Sequence, residues 1–255
     1  MYLIVQYYND KNIERQKEYD FCLEKNLNNP AITEIHNIIE NETIIPEKFK
    51  NNKKLKNIPI VYNNTGSIKG RLTFKYAFDY VKKNINPCEV ICIANLDIFF
   101  DYSQDWLNIK TDFFNINNTN KVLCLSRYEF ITNNNNTINY TLDKRQLLGS
   151  SYDSWIFLNN LNKIDDCNFS VGNAPGCDAS IAKRFYNSEY KIFNWMEKYK
   201  TFHYDLCRGY LNYILTEKTD HEAKNALTRG RLDCPPLQDW NNILLNNINP
   251  KYNIK

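Results

Sequence analysis

A chain of 255 residues with 43% hydrophobic and 24% charged residues can bury a large core, which excludes a disordered chain. Its net charge of +3 gives no case for a nucleic-acid partner. Only seven glycines are present and neither a P-loop nor a GxGxxG pattern occurs, which excludes the glycine-rich phosphate loops.

Tyr2 to Tyr8 predicts a first strand. The opening MYLIVQYYND is too short and too polar for a signal peptide, and no run of about 18 apolar residues exists. A cytoplasmic protein without a transmembrane segment is expected. Ile13 to Asn26 predicts a helix, with Tyr19, Leu23 and Leu27 at helical spacing and Pro30 as its stop. Ile32 to Ile39 predicts a short strand. Lys48, Lys50, Lys53, Lys54 and Lys56 follow in an Asn-rich stretch without interleaved aromatics, the pattern of a solvated loop.

Ile58 to Tyr62 predicts a third strand, Leu72 to Lys83 a helix, and Val90 to Phe100 a strand set off by Pro87. Lys121 to Phe130 predicts another strand, and the Asn-rich Thr132 to Tyr140 a loop or hairpin tip. Ser151 to Leu158 is strand-like, Phe169 to Gly172 a short strand, Gly176 to Tyr186 a helix and Lys191 to Trp195 strand-like. Beyond Thr216 the chain is polar and weakly patterned, with a short helix predicted near Trp240 to Leu245. This alternation predicts an α/β fold with a mostly parallel sheet. The expected organisation is one domain over 1–215 and a C-terminal extension over 216–255, packed on it or partly flexible.

The eight cysteines lack CxxC spacing and sit among apolar residues, as at Cys88, Cys92 and Cys124, so reduced core thiols are expected. Three histidines and no paired ligands argue against zinc.

The segment Ile91 to Asp101, ICIANLDIFFD, carries the most chemistry. As a strand it places Asn95 and Asp97 on one face, about 7 Å apart. Ligands bind at the carboxyl ends of strands in open α/β sheets. A carboxylate there needs a cation or donors. A divalent metal with a phosphorylated ligand would supply both; an Asx turn ending a core strand is the plainer alternative.

In order along the chain stand YLIVQYYND, RQKEYDFCLEKNLNNPAITEIH, GRLTFKYAFDY, ICIANLDIFFD, VLCLSRYEF, SYDSWIF, FSVGNAPGCDASIAKRF and FHYDLCRGY. Over residues 2–210 this order resembles nucleotide-sugar glycosyltransferases of the GT-A type, most closely a group found in large DNA viruses and some microbes. The resemblance implies a Rossmann-like αβα sandwich whose nucleotide and acceptor halves share one continuous central sheet. It implies transfer of a sugar from a nucleoside-diphosphate sugar, UDP favoured and GDP as alternative, to a hydroxyl of a glycan or glycoprotein. A viral member would work in the host cytoplasm. A DxD-like motif would hold Mn²⁺ or Mg²⁺ on the diphosphate; its first acid is Asn95 here, a neutral ligand, and its second is Asp97.

Further roles come from the residues themselves and from the same resemblance, each beside a plainer one. Tyr7, Tyr8, Asn9 and Asp10 would meet base and ribose, or be core and rim residues. Arg71 would grip the diphosphate, or lie on the surface. Arg127 would touch the donor sugar, or pair with an acid. Asp153 with Trp155 would cradle the sugar, or be a turn cap and a core ring. Asp178, after Gly172, Pro175, Gly176 and Cys177, would be the general base, with Asp153 as substitute. A helix N-cap would lower the Asp178 pKa and weaken it as a base. His203 would join Asp97 at the metal, or be a core histidine. Asp205 replaces a second His, and Arg208 would face the diphosphate. Asp101 is a weaker candidate. Two rivals remain: an inactive nucleotide-sugar-binding relative, favoured by Asn95 and Asp205, and a nucleotidyltransferase, disfavoured because VQYYNDKNIERQ lacks glycine.

Overall fold

Asn12 starts the first helix by accepting from the main-chain N–H groups of Glu14 and Arg15. The computed structural model describes residues 1–40, 42–60, 71–114, 120–132, 138–142, 152–172 and 177–206. In chain order these form β1 (Tyr2–Val5), α1 (Ile13–Asn28), β2 (Glu34–Ile39), α2 (Glu47–Lys50), β3 (Leu55–Pro59) and α3 (Phe74–Asn84). β4 (Val90–Ala94), β5 (Ile98–Phe100), α4 (Gln104–Leu107), α5 (Ile109–Asp112), β6 (Lys121–Leu125) and β7 (Tyr128–Thr132) follow. The last are β8 (Ile138–Leu142), β9 (Ser154–Leu158), α6 (Cys177–Asn187), β10 (Lys191–Phe193) and β11 (Thr201–Tyr204).

Seven strands form the central sheet in the order β10-β6-β9-β4-β1-β2-β3. All neighbours are parallel except β9, which runs antiparallel to β4 and β6. Side chains alternate across a sheet, so each strand feeds two cores. Leu3, Val5, Cys92, Leu123 and Ile156 pack with Tyr19, Leu23 and Leu27 of α1 and with Trp106 and Ile109. Ile4, Ile91, Ile93, Cys124 and Trp155 pack with Phe74, Ala77 and Val81 of α3 and with Ile181 and Phe185 of α6. The chain is thus an α/β protein with helices on both faces of a mostly parallel sheet, a Rossmann-like αβα sandwich.

A second, four-stranded sheet has the order β5-β11-β7-β8. It corrects two expectations and qualifies a third. The apolar run Val90 to Phe100 is not one strand: β4 ends at Ala94, the chain turns at Asn95 to Asp97, and β5 joins the other sheet. Lys121 to Phe130 divides likewise into β6 and β7, around Ser126 and Arg127. The strands therefore spread over two sheets rather than one continuous sheet.

Buried amides complete the hydrogen bonding at both breaks, because backbone groups there leave the ladder and must be paired. Asn26 of α1 donates to the Ile98 carbonyl and accepts from the Phe100 N–H, and Asn29 donates to the Phe100 carbonyl. These bonds cover the outer edge of β5, which would otherwise be an open sheet edge. At the second break Asn194 accepts from the Ser126 N–H and donates to its hydroxyl, while Thr201 donates to the Ser126 carbonyl.

Elsewhere the boundaries shift modestly. β1 stops at Val5, β3 spans Leu55–Pro59, and Phe169 to Gly172 contributes only a bridge between Thr73 and Ser170. Of the Asn-rich Thr132 to Tyr140 stretch, Thr132 ends β7 and Ile138 to Tyr140 begin its antiparallel partner β8, while 133–137 lie outside the described residues. The described cysteines carry no disulfide; Cys22, Cys92 and Cys124 are buried and Cys88 is exposed. The 215/216 boundary, the extension and its short helix lie outside the described residues.

Trp155 is fully enclosed, with its ring edge-on to Phe74 at 4.8 Å. Trp155→Ala is expected to lower unfolding stability by about 3–5 kcal/mol in urea titration, the cost of deleting a large core ring. Unchanged stability would contradict its place in the core.

Candidate functional site

Because β9 runs against its neighbours, the residue preceding it lies beside the carboxyl ends of both β4 and β6. That residue is Asp153. Its N–H donates to the Leu125 carbonyl at 3.0 Å, and its own carbonyl accepts from the Asn95 N–H at 3.1 Å. Its carboxylate oxygen Oδ1 accepts from Arg127 Nη1 at 2.6 Å and from Asn95 Nδ2 at 2.9 Å. Both strand breaks therefore converge on one buried carboxylate. The other oxygen, Oδ2, is buried and has no hydrogen-bond partner among the described residues.

Gly172 packs closely against the Asn95 amide. Its φ is +64°, and a Cβ there would lie 2.2 Å from Asn95 Oδ1, so a side chain is excluded both by conformation and by contact. Val171 N–H donates to the Leu72 carbonyl, which brings the start of α3 to the same mouth. Arg71 lies there, exposed.

Asp178 sits in the first turn of α6 and accepts from Cys177 Sγ at 2.9 Å. The depressed pKa expected of a helix start is overturned. Burial, and then the negative charge of Asp153, push Asp178 up to about 7, against the opposing pull of Cys177, Arg127 and a backbone bond from Tyr152. A low-dielectric setting beside a second carboxylate thus outweighs the helix terminus.

A second cluster surrounds Asp97. Arg15 Nη2 donates to Asp97 Oδ2 at 2.6 Å, and His203 Nε2 lies 3.2 Å from the same oxygen. Arg15 also pairs with the fully buried Glu18 and donates from Nε to the Tyr19 hydroxyl at 2.9 Å. The Tyr19 hydroxyl in turn bonds that of Tyr8. Burial opposes the Arg15 charge, but Asp97, Tyr19 and Glu18 raise its pKa overall.

Asn95 and Asp97 thus serve two clusters rather than one strand face. The turn between them sends Asn95 to Asp153 and Asp97 to Arg15 and His203. Tyr7 is fully buried and donates its hydroxyl to Asp20 at 2.5 Å, so its ring has no open face for a base. Tyr8, half-buried, is the more open of the pair. Asn9 exchanges hydrogen bonds with the Ile44 backbone, and Asp10 accepts from the Asn12 N–H, so both shape the loop after β1. Trp155 is a core ring and offers no exposed platform to a sugar. Asp101 does not join Asp97: it lies beyond the far end of β5, where burial raises its pKa. Arg208, Pro175 and Gly176 lie outside the described residues.

Asp97 and His203 touch each other directly, and the donor set around them does not fit a divalent ion. The shared carboxylate oxygen already faces a guanidinium and an imidazole. Asn95 is committed to Asp153. Among the described residues no three His, Cys, Asp or Glu side chains are grouped to hold a metal.

Arg15 and Glu18 were not anticipated from the sequence. A usable signal existed: Arg15, Tyr19, Leu23 and Leu27 continue one helical stripe, so a charged pair sat on a face otherwise apolar.

No family model matches the chain, and no curated protein matches it either. Among solved structures it is similar to the 4-diphosphocytidyl-2C-methyl-D-erythritol synthase of Anaerococcus prevotii, at 13% identity and TM-score 0.40, over 90% of this chain and 95% of that one. A Bacillus anthracis protein named as a glucose-1-phosphate thymidylyltransferase, solved with sucrose, gives 12% identity and TM-score 0.40, over 94% of this chain and 98% of that one. Likenesses this slight carry no function across. No helix among the described residues is long and apolar enough to cross a membrane.

Because the folded chain holds the Asp178 proton more tightly than the unfolded chain does, stability falls as pH rises from about 4 to about 7 and levels off above. Asp178→Asn is expected to flatten that slope and to make the variant the more stable protein near pH 8 in urea titrations, with retained pH dependence of the parent slope counting against the raised pKa.

Proposed function

We propose that the chain is a glycosyltransferase that moves a sugar from a nucleoside-diphosphate sugar to a hydroxyl of a glycan or glycoprotein. One observation carries this reading. Asp153 and Asp178 lie together at the carboxyl ends of central strands, one with an unpartnered buried oxygen and the other with its proton affinity near neutrality. That is the mouth where open α/β sheets bind ligands.

In this reading Asp153 Oδ2 accepts from a donor-sugar hydroxyl, which supplies the partner the buried oxygen needs. Asn95 and Arg127 hold the carboxylate in place. Asp178 removes the acceptor proton as the oxygen attacks C1 and the bond from C1 to the diphosphate oxygen breaks, releasing the nucleoside diphosphate; a pKa near the working pH suits a general base. Tyr8 and Asp10 lie toward the base and ribose, and Arg71 at the entrance to α3 meets the diphosphate. A guanidinium there matches phosphate geometry through paired donors. UDP is the favoured nucleotide and GDP the alternative. No step is routed through Mn²⁺ or Mg²⁺, since the donor set around Asp97 does not fit one.

The reading is tested by screening UDP- and GDP-sugars for sugar transfer and for slow donor hydrolysis. Asp178→Asn is expected to reduce turnover by about 10²–10⁴-fold, the span of general-base contributions, while donor affinity stays within a few-fold. Donor binding without turnover in the unaltered protein would favour an inactive relative. No binding at all by the folded protein would remove the donor site.

A further inference from the structure

Arg15 stands between two carboxylates, one of which also faces a histidine. Asp97 lies on one side at 2.6 Å, Glu18 pairs on another, and His203 faces the same Asp97 oxygen from β11. Glu18 and His203 are almost wholly enclosed and Asp97 nearly so. Its guanidinium carbon lies 4.8 Å from the Tyr19 ring centre, and Tyr19 also takes its Nε–H. The guanidinium is thus held by two carboxylates, a hydroxyl and an aromatic face.

The geometry points to Arg15 as a resident cation that fills the place a divalent ion would need, so that donor binding at this site is independent of Mn²⁺ and Mg²⁺. The first half stands on the cluster alone; the second rests on the nucleotide-sugar reading. An arginine cannot yield its charge by losing a proton. A metal could enter only by displacing the Arg15 guanidinium from both carboxylates, which would leave the enclosed Glu18 without its ion-pair partner. Glu18 is fixed in turn by the Leu206 N–H, which donates to its other oxygen at 2.5 Å. Both Glu18 oxygens are thus engaged, one by Arg15 and one by the Leu206 N–H. The first turns of α1 thereby perform locally what a metal would otherwise do, balancing the Asp97 charge and linking α1 to β5.

The test is Mn²⁺ binding to the full chain, followed by electron paramagnetic resonance without nucleotide. The unaltered protein is expected to bind no Mn²⁺ at Asp97, so that Asp97→Asn changes nothing. Arg15→Ala is expected to gain one bound Mn²⁺ per chain, lost again when Asp97→Asn is added. One Mn²⁺ bound by the unaltered protein and removed by Asp97→Asn would overturn the inference. So would a folded Arg15→Ala protein that gains none. Should Arg15→Ala unfold by circular dichroism, the comparison of the unaltered protein with Asp97→Asn still decides. In a parallel calorimetric arm, UDP and GDP affinities are expected to agree within about twofold in EDTA and in Mn²⁺, and affinity gained only with Mn²⁺ counts against metal independence. Absence of nucleotide binding in both would defeat the transferase reading while leaving the Mn²⁺ result to stand by itself.

Discussion

Burying the carboxylate of Asp153 constrains everything around it. An ionised acid in a protein interior must be paired or bonded. Here the partners come from both neighbouring strands: Arg127 from the end of β6 and Asn95 from the end of β4. Asn95 continues the β4–β9 register one step to lie opposite Asp153, and Arg127 reaches it from just beyond the end of β6. Both strands leave the central sheet at this point, and the polar residues at the departures converge on β9 between them. The antiparallel direction of β9 is what makes this geometry available, since it puts a strand start between two strand ends.

Leaving a sheet costs backbone hydrogen bonds, and the chain replaces them with side-chain amides. Asn26, Asn29 and Asn194 are buried, and each bonds main-chain groups at a departure. α1 therefore has two tasks. Its last turns cover the edge of β5, and its first turns deliver Arg15 to Asp97. The two tasks share one rigid helix, so the position of the Asp97 cluster is tied to the packing of Tyr19, Leu23 and Leu27 on the central sheet. The Asp178 carboxylate, by contrast, is placed by α6 from the opposite face. The candidate chemistry thus lies where two helices from opposite layers meet the same strand ends.

The α/β class and the mostly parallel sheet were legible because strand and helix periods alternate clearly along the first 195 residues. The breaks were not. Ile91 to Phe100 is apolar throughout apart from Asn95 and Asp97, and a continuous apolar run says nothing about which sheet each half joins. That depends on β11, more than 100 residues on, which pairs with β5. The residues of the candidate clusters were named from the sequence, and their grouping was less legible. Asp153, Asp178, Arg127 and Asn95 do meet, and Asp97 does meet His203. Trp155 and Tyr7 read equally well as ligand contacts and as core, because an aromatic beside a polar residue fits either description; burial alone separates them. Arg15 was missed because a helix pattern weighs apolar positions and passes over a charge on the same stripe. The direction of the Asp178 shift was also beyond the sequence. Its local position at a helix start predicts a stronger acid, and only the approach of Asp153 with burial reverses that.

The most direct measurement is a crystal structure of the chain with an intact, slowly reacting UDP- or GDP-sugar. The account predicts a sugar hydroxyl donating to Asp153 Oδ2, with Asn95 and Arg127 still on Oδ1 and the C1 atom open toward Asp178. A donor seated away from the ends of β4 and β6, with Asp153 Oδ2 still lacking a ligand partner, would contradict it.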